Sequence, residues 1–348
     1  MSTAQTEIDK LVDVVKAANL PEKLTENVQI RLAQLAKLTE SSTFLPEFDR
    51  MNRYIEWIVA YPWNKKTLDN LDLDNAKRIL DKNHFGLTEI KDRIMEYMSV
   101  MKLKSEKGEG QDIYRAPILC FVGLAGTGKT TIAYSIAEAL GRKFARIPFG
   151  GMGDPLDLRG QSKMHPEAEP GKIIKAMRLT QSNNPVILLD EIDRVTDQGR
   201  ASIMGVLVEL LDPGQNHDFV DHYFDYPTDL SSVLFIATAN NTTNISTAVL
   251  DRLEPISMPS YTDNEKIMIA SNYVLPRALK ASGLPDGSLQ ISDDLWPILV
   301  RPLGYDSGIR TLERTIDGVV RKVARMMVEG KGNSYTITKE NVRDFLPQ

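Results

Sequence analysis

Gly123-Leu124-Ala125-Gly126-Thr127-Gly128-Lys129-Thr130 stands between an apolar run, Ile118-Leu119-Cys120-Phe121-Val122, and a stretch of helical character. It reads as a phosphate-binding loop joining a strand to a helix. Glycines let the backbone curl until several N–H groups point inward at an anion, and the N-terminus of the following helix adds partial positive charge. Lys129 reaches the outer phosphates and Thr130 offers a hydroxyl to Mg²⁺, so the loop predicts a nucleoside triphosphate site.

Outward from that loop the same pattern continues. From Pro117 to about Met258 short apolar runs alternate with helical stretches, the mark of an α/β fold with a parallel sheet covered by helices on both faces. The runs are Ile118–Val122, Phe144–Ile147, Val186–Leu189, Val233–Ala239 and a short one at Ile256–Met258. Sites in such sheets lie at the C-terminal ends of the strands.

Residues 6 to 60 read as helical throughout, with apolar stripes at Ile8, Leu11, Val12, Val15, then Leu24, Val28, Leu32, Leu35, then Phe48, Met51, Ile55, Ile58, Val59. Pro21 and Pro46 punctuate them, and stripes of this kind are core-packing or helix-pairing faces. A turn follows at Tyr61-Pro62-Trp63-Asn64, then a helix from Leu87 to about Lys104 and an exposed loop at Gly108–Asp112. After Tyr261 the chain turns helical near 263–281, 292–300 and 307–329, and closes with Tyr335-Thr336-Ile337 and a short helix from about Lys339 to Phe345. These shifts divide it into an N-terminal helical segment, 1–63, a large α/β domain, 64–260, and a small helical domain, 261–348.

At 348 residues the chain exceeds one ordinary core. A net charge of −5 argues against nucleic acid as the main partner, which is bound through an excess of Lys and Arg. The single cysteine, Cys120, excludes an internal disulfide and sits in an apolar strand as a small hydrophobe. Residues Met1 to Lys10 lack the apolar core of a signal peptide, and no apolar stretch approaches the ~18 residues of a membrane span, so a cytoplasmic chain is expected. The 4 histidines lack metal-ligand spacing.

Val186-Ile187-Leu188-Leu189 runs straight into Asp190-Glu191, placing two carboxylates where a buried strand emerges. Burying one acid there needs a cation. Asp190 is expected to hold Mg²⁺ through its water shell, and Glu191, one residue farther out, to deprotonate the attacking water. Two acids after a strand are also an ordinary helix start, one that includes Asp193; the phosphate loop upstream is what changes their meaning. Val233–Ala239 ends in Asn240, able to donate to a γ-phosphate and accept from water, although Asn also serves as a plain turn former. Arg252 falls at a helix end and Arg310 at a helix start; guanidinium groups stabilise charge spread over a transferring phosphoryl group. Solvated surface arginines are the bland alternative for both.

Taken in this order, the residues resemble an AAA+ ATPase, and the surrounding sequence narrows the likeness to the ATPase region of the Lon protease family, from about Glu7 to Leu346. The resembling segments include Tyr54-Ile55-Glu56-Trp57, Pro62-Trp63-Asn64, His84-Phe85-Gly86-Leu87, Gly141-Arg142-Lys143-Phe144, Asp212-Pro213, Asp221-His222-Tyr223 and Phe235-Ile236-Ala237-Thr238-Ala239-Asn240. The resemblance implies an AAA+ sheet with a helical lid. It implies an ATP/ADP site formed by His84, Phe85, Gly86, Gly123, Ala125, Gly126, Thr127, Gly128, Lys129, Thr130, Thr131 and Asp190, with Mg²⁺ at Thr130 and Asp190. Asn240 matches sensor 1, Arg252 the arginine finger offered to a neighbouring subunit, and Arg310 sensor 2, with Glu191 as base. The family acts as a homo-oligomeric ring, usually a hexamer, that unfolds protein substrates and threads them into a protease chamber.

Two departures stand out. Family members carry a Ser-Lys protease domain beyond the point where this chain ends, at Phe345-Leu346-Pro347-Gln348, and a long N-terminal recognition domain before the point where it begins. Peptide hydrolysis is therefore not expected from this polypeptide, whether it is a piece of a complete protease or a standalone chain working with a full-length homologue or a separate protease. In the loop from Arg159 to Gly171, where the family presents an aromatic residue and then an aliphatic one to the threaded chain, His165 and Pro166 stand instead, with Met152 as another residue able to reach outward. A different class of reading makes the chain a non-proteolytic regulatory or assembly subunit that binds ATP and joins rings of homologues. Glu191, Asn240, Arg252 and Arg310 argue against a dead switch, and the acidic balance argues against a DNA-remodelling ATPase.

Overall fold

The computed structural model describes residues 3–107, 117–285, 287–301 and 308–346; the loop expected at Gly108–Asp112 lies outside them. Three amphipathic helices open the chain, Thr3–Ala17, Glu22–Ala36 and Phe44–Ala60. Each turns its stripe inward, burying Ile8 and Val15, Leu24, Val28 and Leu32, and Ile55 and Ile58. Pro21 caps the second helix, and Pro46 falls in the first turn of the third, where a missing N–H costs nothing. Helices Leu73–Asn83 and Thr88–Glu106 follow. Leu73–Asn83 has a legible start, because the Asp72 carboxylate accepts from the N–H groups of Asp74 and Asn75.

The strands are β1 (Ile118–Val122), β2 (Phe144–Pro148), β3 (Val186–Asp190), β4 (Phe219–Asp221), β5 (Tyr226–Thr228), β6 (Leu234–Ala239), β7 (Leu253–Ser257), β8 (Leu289–Ile291) and β9 (Tyr335–Ile337). Five of them form one sheet in the order β2-β3-β6-β1-β7, with β3 parallel to both β2 and β6. Every residue of β3 and β6 is buried, as continuous apolar runs covered on both faces should be. The edge strand β7 begins at Leu253 rather than at Ile256, because Glu254 and Pro255 interrupt its apolar run and an edge tolerates both. The antiparallel pair β4-β5 is too short for periodicity to reveal.

The chain divides into two compact units. One comprises Met1–Leu71, Met98–Cys120 and Ala137–Pro255; the other comprises Asp72–Tyr97, Phe121–Ile136 and Ile256–Gln348. The second holds a separate apolar core around Leu295, Trp296, Leu312, Ile316, Val320 and Val323, against which β8 and β9 contribute Leu289 and Ile337. Its expected helix over 263–281 is interrupted by a wide turn at Ala270–Val274. Pro276, lacking an N–H, cannot bond back to the Asn272 carbonyl, which loosens the preceding turn. Among the described residues no helix is long and apolar enough to cross a membrane.

Candidate nucleotide site

In the second unit the glycine loop takes the curled form that its composition predicts. Gly126 (φ +83°) and Gly128 (φ +94°) occupy left-handed backbone that side chains disfavour. Lys129 opens the helix Lys129–Leu140, and its ammonium turns back to donate to the carbonyls of Gly123 at 2.6 Å and Leu124 at 2.9 Å. The hydroxyl of Thr127 donates to Leu124 O at 2.9 Å, that of Thr131 to Gly128 O at 2.8 Å. Ala125 is exposed and Thr130 half-buried.

Two further segments fasten this loop. The Tyr261 hydroxyl donates to Thr127 O at 3.0 Å, and burial pushes its phenol up to about 12, so it remains a donor across the physiological range. The Ile309 N–H donates to Gly126 O at 3.2 Å. Next to it Arg310, the first residue of the helix Arg310–Val328, lays its stem so close to Gly126 that a Cβ there would lie 3.2 Å from Arg310 Cγ. His84 is buried, its Nε2 2.9 Å from Ser135 Oγ, while Lys91 donates to its carbonyl at 2.7 Å. Burial, helped by the Lys91 charge, lowers the imidazole to about 4 and keeps it neutral. Phe85 packs against the core of this unit, and Gly86 (φ +62°) turns the chain into the next helix.

In the first unit the register of the sheet assembles the acids. Pairing of Arg146 with Leu188 and Pro148 with Asp190 puts Arg146 and Asp190 on one face. One step beyond the Leu189–Ala237 pair, Thr238 stands opposite Asp190. The Asp190 carboxylate, 3% exposed, accepts at Oδ2 from Arg146 Nη2 (2.5 Å) and Nε (2.6 Å), and at Oδ1 from Thr238 Oγ1 (2.5 Å). Arg146 is thus the cation that a buried acid here requires, supplied by the chain itself. Glu191 follows in left-handed backbone (φ 58°, ψ 50°), half-buried, its N–H donated to Thr238 Oγ1 at 2.9 Å. Asn240 sits half-buried just past β6, and Asp193 is buried in the short turn of helix Ile192–Arg194. Arg252 donates to Asp212 Oδ2 at 2.6 Å and to Ala248 O at 2.7 Å, a pairing that holds the Asp212 carboxyl below its usual range. The Cys120 thiol is buried and pushed up to about 12, the state of an inert hydrophobe.

Residues 119–260 match the model of the ATPase family associated with various cellular activities (AAA), and residues 280–336 match that of the Lon protease AAA+ ATPase lid domain. The chain belongs to the Lon-type AAA+ ATPases. It is 43% identical over 342 residues to the Lon protease of Elusimicrobium minutum and 43% identical over 343 residues to that of Lawsonia intracellularis, 98% and 99% of this chain. It is 40% identical over 347 residues to Lon protease 2 of Thermus thermophilus. The chain spans 40% of the length of the first two and 43% of the third.

In this Lon-type module the loop from Arg159 to Gly171 is braced within its own unit. Arg53 Nη2 donates to Pro166 O at 2.8 Å, Lys163 donates to Asp225 at 2.9 Å and lies 4.9 Å from the centre of the Tyr54 ring, and Gly171 N–H donates to the buried Asp221 at 2.8 Å. His165 is exposed, and so is Met164, at 71% the loop's large apolar surface residue. Met152 does not reach outward as the sequence allowed. It is 3% exposed, its N–H bonded to Phe149 O, because the Gly150-Gly151 turn folds the chain back into the core. Arg146, Thr238, Tyr261 and Gly308 were not legible as site residues. Each depends on a pairing distant in sequence, and only the need of buried Asp190 for a cation signalled one of them.

Proposed function

We propose that this module couples ATP hydrolysis to the unfolding and translocation of protein substrates. In this reading it works in the cytoplasm as a homo-oligomeric, hexameric ring that delivers chains to a protease carried by a longer homologue or a separate partner. The observation that supports this best is the direct fastening of the phosphate loop to the lid helix through Ile309 N–H and Arg310, so that events at the nucleotide have a mechanical lever. The working division remains 1–63, 64–260 and 261–348.

The residues suit a triphosphate with Mg²⁺. The curled glycines, Lys129 and the helix N-terminus behind them complement an anion; the Thr130 hydroxyl is a hard oxygen donor of the kind Mg²⁺ prefers, and the Asp190 carboxylate, whose oxygens Arg146 and Thr238 already bond, would hold the ion through its water shell. When bound, the ion would neutralise charge on the terminal phosphates. Glu191 takes the proton of the attacking water as the new P–O bond forms and the bond from the γ-phosphorus to the bridging oxygen breaks to release ADP, and Asn240 holds that water by a hydrogen bond. Arg310 stabilises the equatorial oxygens from the same chain, and Arg252 does so for the neighbouring subunit once it leaves Asp212. His84, Phe85 and Gly86 pack near the adenine.

Turnover of the purified chain, measured across protein concentration with and without unfolded casein, tests the reading. Activity per chain should rise with concentration and be stimulated by casein. Flat, unstimulated activity would refute the motor and favour an assembly role.

A further inference from the structure

The side chain that touches both acids at the end of β3 is neither of the arginines nor Asn240. Thr238 is fully buried, and its single oxygen donates to Asp190 Oδ1 at 2.5 Å while accepting the Glu191 N–H at 2.9 Å. A hydroxyl has one proton to give and lone pairs to receive, so both bonds are satisfied at once. Glu191 needs such a tie. It stands at φ 58°, left-handed backbone that a residue with a Cβ disfavours, and it directly follows the last residue of the strand. On the β2 side the Phe149 N–H donates to the Asp190 carbonyl at 2.9 Å, which holds the end of the strand and leaves the Glu191 N–H to Thr238. From the β6 side Thr238 is the partner of the Glu191 N–H and of the Asp190 carboxylate together.

We propose that Thr238 is a positioning residue for hydrolysis: it fixes the main chain of Glu191 and the carboxylate of Asp190 with one hydroxyl, and so sets where the base carboxylate meets water. The inference rests on the reading of Glu191 as the base. Thr238 does not face the reacting atoms and takes no proton from them. Its removal leaves the acids present and lets the Glu191 backbone relax from the left-handed region, and a shift near 1 Å at a catalytic group costs up to about 100-fold in rate.

The test compares Thr238→Val, which keeps shape and loses the hydroxyl, Thr238→Ala, which also leaves room, and Thr238→Ser, which restores the oxygen. All three are measured beside Glu191→Gln for kcat, KM for ATP, melting temperature and affinity for a fluorescent ADP. Thr238→Val and Thr238→Ala should lose roughly 10- to 100-fold in kcat with KM and ADP affinity unchanged, and Thr238→Ser should recover most of kcat. Normal kcat in folded Thr238→Val while Glu191→Gln is inactive would overturn the proposal and leave the base assignment standing. So would a rate loss matched by an equal loss of ADP affinity, the signature of a general packing defect. Full turnover by Glu191→Gln would instead remove the base assignment on which the proposal rests.

Discussion

Gly308→Ala tests whether the lid rests on the phosphate loop as the structure has it. A Cβ at Gly308 would sit 2.4 Å from Ala125 O and 2.8 Å from Gly126 Cα, both backbone atoms that cannot rotate away. Ordinary contact begins at 3.4 Å, so the two segments would part by about 1 Å. Overpacking of that kind costs roughly 1–3 kcal/mol, and the Ile309 N–H bond to Gly126 O, already 3.2 Å, would weaken with it. A penalty of about 2 kcal/mol on the seated lid corresponds to roughly 30-fold in that equilibrium. Stopped-flow release of a fluorescent ADP analogue should therefore quicken by about tenfold or more, with Arg310 still present. An unchanged release rate in a folded Gly308→Ala protein would refute the seating of the lid on the loop.

Acid should weaken the second unit through His84. Its folded value near 4 lies below the free imidazole's 6.5, so its contribution is complete above pH 6.5 and fades as pH falls towards 4, about 3 kcal/mol in all. Urea melts between pH 7 and 4.5 should show a shallower acid slope in His84→Gln than in the parent, and equal slopes would contradict the assignment. Arg252→Ala should lose turnover alone and regain part of it in rings mixed with Glu191→Gln, because each variant spoils a different half of a shared site; mixtures with no recovery would argue against action across subunits. Melting should barely move in Arg252→Ala, since its partner Asp212 is part-exposed and such pairs contribute about 0–1 kcal/mol.

Much of the architecture was legible because its signals are local. The β1 run, the glycine loop and the helix behind it lie within two dozen residues, and the four-residue aliphatic run before Asp190 could be little other than a strand buried on both faces. Helix stripes placed the first three helices to within a few residues. What escaped depends on partners that only folding brings together. Asp190 announced a cation without naming Arg146, since the register that sets them on one face is not written in either segment. Thr238 looked like one more strand residue until β6 came to lie beside β3. Glycine at 308 gave no sign of its neighbour at 125, and the bulged turn at Ala270–Val274 required knowing how Pro276 is accommodated.

The central claim is that Glu191, held where β3 ends, removes a proton from water to cleave ATP. Rapid filtration of the Glu191→Gln protein after mixing with labelled ATP and Mg²⁺ measures it directly. The account predicts that ATP is retained intact on the protein while ADP fails to accumulate. Release of ADP at the parent rate would contradict it.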